Sequence, residues 1–252
     1  MEKIGDIDWN KMSYAEIDAM LEKRVAYYEE SIKANGGKRP KREGYVTERL
    51  ALMSNLRTAD NNAQAGKVKI NRHIRRHNMR AEAELRELQL MILTLNFPAQ
   101  KYTTTQVVTD AGKVRDITKK NFYPWRILDH VIMLVIGPVL LNHLMYHTFA
   151  CIKGKGLHFG VRSVKKMLRV CKDYKYFVQT DYKQFYESIP HDLIMRELRE
   201  RFKDEHFLRI IEIVLFSFNS GPTIEYVLEN EIKKKRCTHW LVYQSADSKL
   251  CN

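Results

Sequence analysis

The segment from Phe177 to His191 places the strongest constraint on the fold. Aromatic and β-branched residues at 176–180 predict a short strand, and Pro190 at a first helical position predicts a helix that runs through Phe202. Asp181 therefore lies at the carboxyl end of a strand, where its carboxylate can point into a cleft. Hard cations such as Mg²⁺ prefer oxygen ligands of this kind. The alternative is an Asp that opens a turn between strand and helix, and spacing alone favours that alternative.

Most of the remaining chain has helical patterns. Ser13 and Glu16 form a capping-box pattern at the start of a helix predicted over 13–34. A basic linker with Gly and Pro follows at 36–42, and a polar loop is predicted for 60–66. The periodicity of apolar residues predicts further helices over about 46–56, 70–95, 127–144, 161–170 and 204–218.

One stretch between the helices predicts a β-hairpin. Residues 103–109 are rich in β-branched side chains, 110–113 contain a Gly turn, and 114–117 form the return strand. The hairpin is followed directly by the most apolar of the predicted helices. The pattern therefore combines many helices with a small amount of antiparallel sheet.

The charge of the chain indicates a polyanionic partner. Its 252 residues contain 43 Lys and Arg against 30 Asp and Glu, which gives a net charge of +13. Such a surplus usually favours nucleic acid and less often an anionic membrane. Positive charge is concentrated before Glu82, where repulsion costs stability unless phosphates lie nearby, although a merely solvated face is the alternative. The arginines of this stretch are Arg72, Arg75, Arg76 and Arg80.

Other classes of protein are disfavoured. No apolar run reaches the roughly 20 residues that span a bilayer, and the longest, Val131 to Leu141, contains Gly137 and Pro138. The first residues lack the apolar region of a signal peptide. Four scattered Cys predict neither a zinc site nor a disulfide framework. We expect a protein of a reducing compartment, the cytoplasm, without a membrane partner.

Asp181 also belongs to a longer pattern. It is followed by Phe185 and Tyr186 at the fourth and fifth positions and then by Ser-Ile-Pro-His. This segment resembles motif A of reverse transcriptases, most closely those of group II introns and diversity-generating retroelements.

Three further segments resemble the same family in the family's order. The run from His147 to His158 is similar to the motif that precedes motif A, and it contains Lys153, Gly154, Lys155 and Gly156. Two glycines let a backbone approach phosphate and two lysines supply charge, although a basic turn between helices is the alternative when this run is taken alone. Residues 110–117 resemble the fingers hairpin, and 128–131 resemble the helix after it, with His130 where the family has Arg.

The resemblance implies a fold and a division of the chain. The fold is α+β, with the fingers and part of the palm of a right-hand polymerase, in which an antiparallel sheet packs against helices. A mostly helical N-terminal extension at 1–66 precedes the fingers-like region at 67–175. The partial palm with motif A covers 176–235, and an atypical tail covers 236–252.

The resemblance also implies a reaction, which is RNA-templated transfer of a deoxynucleotide to a primer 3′-hydroxyl with two Mg²⁺ ions. Asp181 binds both ions, and the Tyr182 carbonyl binds the one that carries the nucleotide. Tyr186 is the steric gate that favours dNTPs. Arg115 grips the triphosphate, with Lys113 as the substitute for a second contact. The implied partners are the RNA template, the primer and dNTP, together with a basic accessory protein.

Two motifs of the family are missing from the sequence. It contains neither a Tyr-x-Asp-Asp tetrapeptide nor the Gly-x-Pro-x-Gly pocket motif. One carboxylate cannot position two metal ions, so we expect the chain alone to be inactive. A frameshift near 232–240 that truncates a full-length enzyme explains the atypical tail, and a genuine short tail is the alternative. The alternative function is a non-catalytic RNA-binding module derived from a reverse transcriptase, whereas a membrane-surface protein is weakly supported.

Overall fold

The computed structural model describes residues 2–67, 71–108, 112, 114–150, 152–170, 176, 178–181 and 190–217, with Arg115 described by its backbone only. The described residues are mostly helical, and their one sheet has two antiparallel strands. This composition is compatible with the predicted α+β class. The right-hand arrangement of fingers and palm stays a prediction.

The described elements follow one another as nine α-helices, two strands and three short helical turns. Two 3₁₀ turns, Ile4–Asp6 and Trp9–Lys11, come first, and a π-helical turn, Phe122–Arg126, precedes α6. The strands are β1 (Thr103–Val108) and β2 (Val114–Lys119). The helices are α1 (Tyr14–Ala34), α2 (Val46–Ala51), α3 (Met53–Gln64), α4 (Arg72–Asn78), α5 (Ala81–Thr94), α6 (Ile127–Leu141), α7 (Leu157–Val170), α8 (His191–Arg201) and α9 (Glu205–Phe216).

The chain divides into two compact units. The first contains the described residues of 2–137 and 192–217, and the second contains those of 138–191. The N-terminal helices and the last two helices thus share one unit. The domain boundaries predicted at 66, 175 and 235 stay predictions, and the tail lies outside the described residues.

A continuous apolar core holds the first unit together. The predicted stripes of α1, α5 and α9 are buried, and they include Ile17, Leu21, Leu88, Ile92, Phe207 and Ile211. Two local signals are confirmed. Ser13 and Glu16 form a capping box at the start of α1, and Asp204 caps α9 by accepting from Phe207 N at 3.0 Å.

Asp204 also links distant parts of the chain. Its carboxylate accepts hydrogen bonds from the backbone N and Oγ1 of Thr47 in α2, at 2.8 and 3.1 Å. Close by, Glu43 pairs with Phe202 in a single parallel bridge. These contacts attach α8 and α9 to the N-terminal helices.

Two predicted helices are interrupted, and one predicted loop is largely helical. The helix predicted over 46–56 is interrupted at Leu52, and the loop predicted for 60–66 is helical through Gln64. That loop was expected from its polar residues, but Ala59 and Ala63 are buried and stabilise the helical form. The single helix predicted over 70–95 breaks at Met79 and Arg80 into α4 and α5.

The predicted hairpin is confirmed. The strands β1 and β2 pair in antiparallel register, with Val107 opposite Arg115 and Thr103 opposite Lys119. Gly112 has φ +69°, a left-handed conformation that favours glycine. Both faces of β1 are exposed, so the hairpin rises from the unit as a thin ribbon.

Helix α6 is largely buried. The helical stretch Phe122–Leu141 is long and apolar enough, by length and composition alone, to cross a membrane. This helical stretch is longer than the apolar run from Val131 to Leu141. It also includes the π-helical turn, which precedes α6 without a gap. Within the protein, 56% of its apolar window is buried, as in the core helix of a globular domain.

The second unit contains the end of α6 and the whole of α7. Helix α7 begins at Leu157, four residues before the predicted start. The strand predicted at 176–180 is wrong, since Tyr176 and 178–180 form no strand among the described residues. Tyr176 and Val178 are exposed, and a strand requires a hydrogen-bonded neighbouring strand.

Candidate nucleic-acid interface

Helix α4 presents a row of unpaired cations. Its start is capped by Asn71, whose side chain accepts from His73 N at 2.9 Å, and Ile74 and His77 face the core. The remaining positions are exposed. Three of them, Arg72, Arg75 and Arg76, form no ion pair with any described residue.

Two other arginines of the same unit are paired with carboxylates. Arg57 binds Glu82 at 2.7 Å, and Arg86 binds Asp18 at 2.7 Å. The arginines of α4 are thus exposed without a carboxylate partner among the described residues. The fourth predicted contact, Arg80, is exposed at the start of α5, next to α4.

His77 anchors this basic helix to the core. Its Nδ1 lies 2.5 Å from Glu84 Oε2, and its Nε2 lies 3.1 Å from Asp60 Oδ1. Phe122 meets the imidazole edge-on and Tyr123 stacks on it, with centroids 5.2 and 6.0 Å away. Burial opposes the charged form, but the two carboxylates outweigh it, so the pKa of His77 is raised.

The break between α4 and α5 makes this arrangement possible. In a straight helix, residues seven apart are separated by about 10.5 Å along the axis. The turn at Met79 and Arg80 lets His77 reach Glu84 directly. The break between α4 and α5, which the sequence did not predict, therefore helps to position the basic surface of α4.

One of the two predicted triphosphate contacts lies in the described hairpin. Arg115 lies in β2 opposite Val107, and only its backbone position is described. Lys113 lies outside the described residues.

A buried ion pair fastens the hairpin to α6. Lys120, which follows β2, pairs with Asp129, which is almost fully buried. Burial raises the pKa of Asp129 to about 7 against the opposing effect of Lys120, and burial lowers the pKa of Lys120. The sequence pattern had singled out Asp129, but nothing in it identified Lys120 as its partner.

The Gly-Lys-Gly turn lies in the second unit. Gly154 has φ +82°, which glycine tolerates best, and Lys153 and Gly156 are exposed. Lys155 donates to the Tyr146 carbonyl at 3.2 Å, and its Nζ lies 4.8 Å from the centroid of the Tyr146 ring. The predicted contact residues thus form a real turn in which one lysine is fixed against an aromatic ring.

Asp181 is exposed, and among the predicted site residues between 177 and 191 it is the one whose side chain the structure describes. Tyr182 and Tyr186 lie outside the described residues. A carboxylate suits Mg²⁺, but one alone does not fit two ions. Across the described ranges, no group of three His, Cys, Asp or Glu could hold a metal ion.

Comparison with known proteins adds no identification. No protein-family model matches the chain, and no curated protein gives a significant match.

An aromatic and cationic cleft in the second unit was missed by the sequence reasoning. It lies beside α7 and contains Tyr146, Phe159, Arg162 and Lys166. One signal in the sequence marks it, because no Asp or Glu occurs between Asp129 and Asp173.

Proposed function

We propose that this chain forms the fingers and the first palm segment of an RNA-directed DNA polymerase. In this proposal the chain binds RNA template and primer, and it contributes to the transfer of a deoxynucleotide to the primer. Three motifs in the family's order support the proposal, with the hairpin first and Asp181 last.

The observation that carries the proposal is the β1–β2 hairpin. The segment whose sequence resembles the triphosphate-gripping hairpin forms an exposed antiparallel ribbon with Arg115 in its second strand. An isolated two-stranded hairpin is marginally stable in water. The Lys120–Asp129 pair at its base is the kind of attachment that a ribbon needs if it is to hold a ligand.

The proposed roles of the residues follow from their chemistry. Arg115 donates paired hydrogen bonds to the triphosphate, with Lys113 beside it. Tyr186 excludes a ribose 2′-hydroxyl. Asp181 offers oxygen to Mg²⁺, which supplies charge stabilisation to phosphoryl transfer when bound. The Tyr-x-Asp-Asp tetrapeptide, which supplies the further carboxylates in the family, does not occur in the 252 residues, so no catalytic step is assigned to this chain by itself.

The test begins with the gene. Its sequence is determined beyond codon 252, all three frames are translated, and the protein completed with a Tyr-x-Asp-Asp segment is assayed for primer extension on RNA. We expect extension that Asp181→Asn abolishes and Glu200→Gln, which neutralises an exposed carboxylate of α8, leaves intact. If no frame encodes the motif, or if Asp181→Asn extends primers normally, the polymerase proposal fails.

A second candidate function is RNA binding without catalysis. It is favoured by the arginines of α4, which have no carboxylate partner among the described residues. Binding needs these cations only, whereas catalysis also needs Asp181. Under either function, Asp181→Asn leaves the affinity of the 252-residue chain for RNA unchanged or slightly increased, because it removes one negative charge. Loss of RNA affinity in this variant contradicts both.

A further inference from the structure

The cleft beside α7 has the size and lining of a binding site. It encloses about 420 Å³, which is within the usual range for small ligands. Its aromatic wall includes Tyr146 and Phe159, whose ring centroids lie 6.3 Å apart at an angle of 67°. Phe149 supports this wall from behind, 5.8 Å from Phe159.

The aromatic wall is held in place by its neighbours. The buried Gly160 leaves room for Phe149, since a Cβ at this position would lie 3.2 Å from the Phe149 ring. Lys155 fixes Tyr146 from the Gly-Lys-Gly turn. Even so, Tyr146 is 64% exposed, and it is available for a ligand.

The exposed side of α7 is both apolar and cationic. Leu157, Val164 and Met167 are exposed together, and patches of this kind mark interaction sites. Arg162 and Lys166 line the same cleft, one helical turn apart.

The charge of the surrounding segment favours an anionic partner. Residues 130–172 contain seven Lys and Arg and no Asp or Glu. If a partner with a purely apolar surface covered the cleft, these cations would be buried without a counter-charge, which costs free energy. An unpaired nucleotide satisfies both features, because its base stacks on aromatic rings and its phosphates pair with cations.

We propose that this cleft binds an unstacked base of single-stranded RNA. The base stacks on Tyr146 and contacts Phe159, and Arg162 and Lys166 hold the flanking phosphates. The inference rests on the proposed function only in that the ligand is RNA. It requires neither Asp181 nor the hairpin.

The test compares two matched pairs of substitutions in the 252-residue chain. Arg162→Gln with Lys166→Gln removes the cations of the cleft. Lys165→Gln with Arg169→Gln removes the same charges at the same spacing from exposed positions of α7 outside the cleft lining. The probe is a 12-nucleotide oligo-uridine RNA with one central 2-aminopurine, whose fluorescence is quenched when it stacks. Circular dichroism verifies that each variant is folded.

We expect the cleft pair to weaken binding about tenfold more than the control pair and to remove the quenching. Tyr146→Leu loses one stacking surface and weakens binding by about tenfold, within the range for base–aromatic stacking. The corresponding control is Tyr27→Leu, at an exposed tyrosine of the first unit, which leaves binding and quenching unchanged.

Several outcomes overturn the inference. Equal losses for the two pairs, with quenching retained, mean that only overall charge matters. Altered self-association of the Tyr146→Leu variant in sedimentation velocity, with RNA binding intact, means that the cleft is covered by protein. If α4 substitutions abolish RNA binding and cleft substitutions do not, the cleft inference fails while RNA binding stands. If the unaltered chain binds no RNA, both the inference and RNA binding by this chain fail.

Discussion

His77 is a titratable residue whose protonation is linked to folding. Its imidazole lies between Asp60 and Glu84, and these two carboxylates outweigh the burial that opposes its charge. The pKa is therefore raised above 6.5, the value for an unperturbed histidine. A group of this kind binds a proton more tightly in the folded state. Its stabilisation is complete below about pH 6.5 and is lost as the pH rises through the folded pKa.

We expect the free energy of unfolding to fall above pH 6.5, by at most about 1.4 kcal/mol per pH unit from this group. Urea unfolding between pH 5.5 and 8.5 measures this slope. His77→Gln removes the contribution of His77, whereas His73→Gln, at an exposed position of α4, retains it. Parallel pH profiles for the unaltered protein and His77→Gln would contradict the assignment.

Lys120 is the second residue whose loss has a specific signature. It is the partner of the buried Asp129, and removing one member of such a pair costs about 3–5 kcal/mol. Because burial already raises the pKa of Asp129 to about 7, a lone Asp129 takes up a proton readily in acid.

Lys120→Met should therefore destabilise the protein by about 3 kcal/mol at pH 8 and by clearly less at pH 5. Urea unfolding at the two pH values measures both costs. Lys119→Met, at the exposed neighbouring position in β2, should change little at either pH. A cost for Lys120→Met that is independent of pH would argue against a buried charge on Asp129.

At the scale of elements, the junction between α2 and α3 depends on a distant side chain. Gln89 of α5 is fully buried, and its Nε2 donates to the carbonyl of Ala51, the last residue of α2, at 2.9 Å. The same nitrogen lies 2.9 Å from Asp18 Oδ1. This amide satisfies a carbonyl that the interrupted helix leaves without a partner.

Gln89→Leu should cost about 1–3 kcal/mol, since the Ala51 carbonyl stays buried without its donor. Urea unfolding measures the loss. Gln106→Leu, at an exposed position of β1, is the control for the change of side chain. Equal stability of the two variants would show that the junction does not depend on this hydrogen bond.

The elements that could be predicted from sequence are those defined by local chemistry. The cap at Ser13, the cap at Asp204 and the β-branched hairpin each depend on residues close together in the chain. The break at Leu52 depends on a contact between Gln89 of α5 and Ala51, which are 38 positions apart. The break at Met79 depends on a contact between Glu84 of α5 and His77, which are seven positions apart. Such contacts have no local signature, so periodicity extended both helices through the breaks.

The features of the candidate site likewise divide into those that follow from local sequence and those that depend on contacts between distant residues. Exposure of the α4 arginines and the turn at Gly154 follow from local sequence. The cleft beside α7 does not, because it requires Tyr146 and Phe159 to approach across the Gly-Lys-Gly turn. The strand expected before Asp181 needed a neighbouring strand, and sequence cannot show whether that neighbour is present.

For the whole molecule, the distribution of charge matters more than the net charge of +13. Helix α1 carries acidic residues among its lysines, whereas α4 carries none. A polyanion held by α4 releases counterions there, and each phosphate that a cation contacts steepens the salt dependence of binding. Replacing the cations of α4 and, separately, lysines in or just after α1 therefore distinguishes local contact with phosphate from the effect of the overall charge.

The triple variant Arg72→Gln, Arg75→Gln and Arg76→Gln should reduce the logarithmic salt slope of RNA binding by about 3, roughly one per phosphate contact. Its stability should be unchanged or higher, because no ion pair is lost and repulsion is relieved. Fluorescence anisotropy with a 12-nucleotide RNA at several salt concentrations measures the slope.

The matched control, Lys23→Gln with Lys33→Gln and Lys38→Gln, lowers the net charge equally from exposed positions in or just after α1. We expect it to keep the slope of the unaltered protein. Identical slopes for the two triple variants would mean that RNA responds to net charge alone and that α4 is no interface.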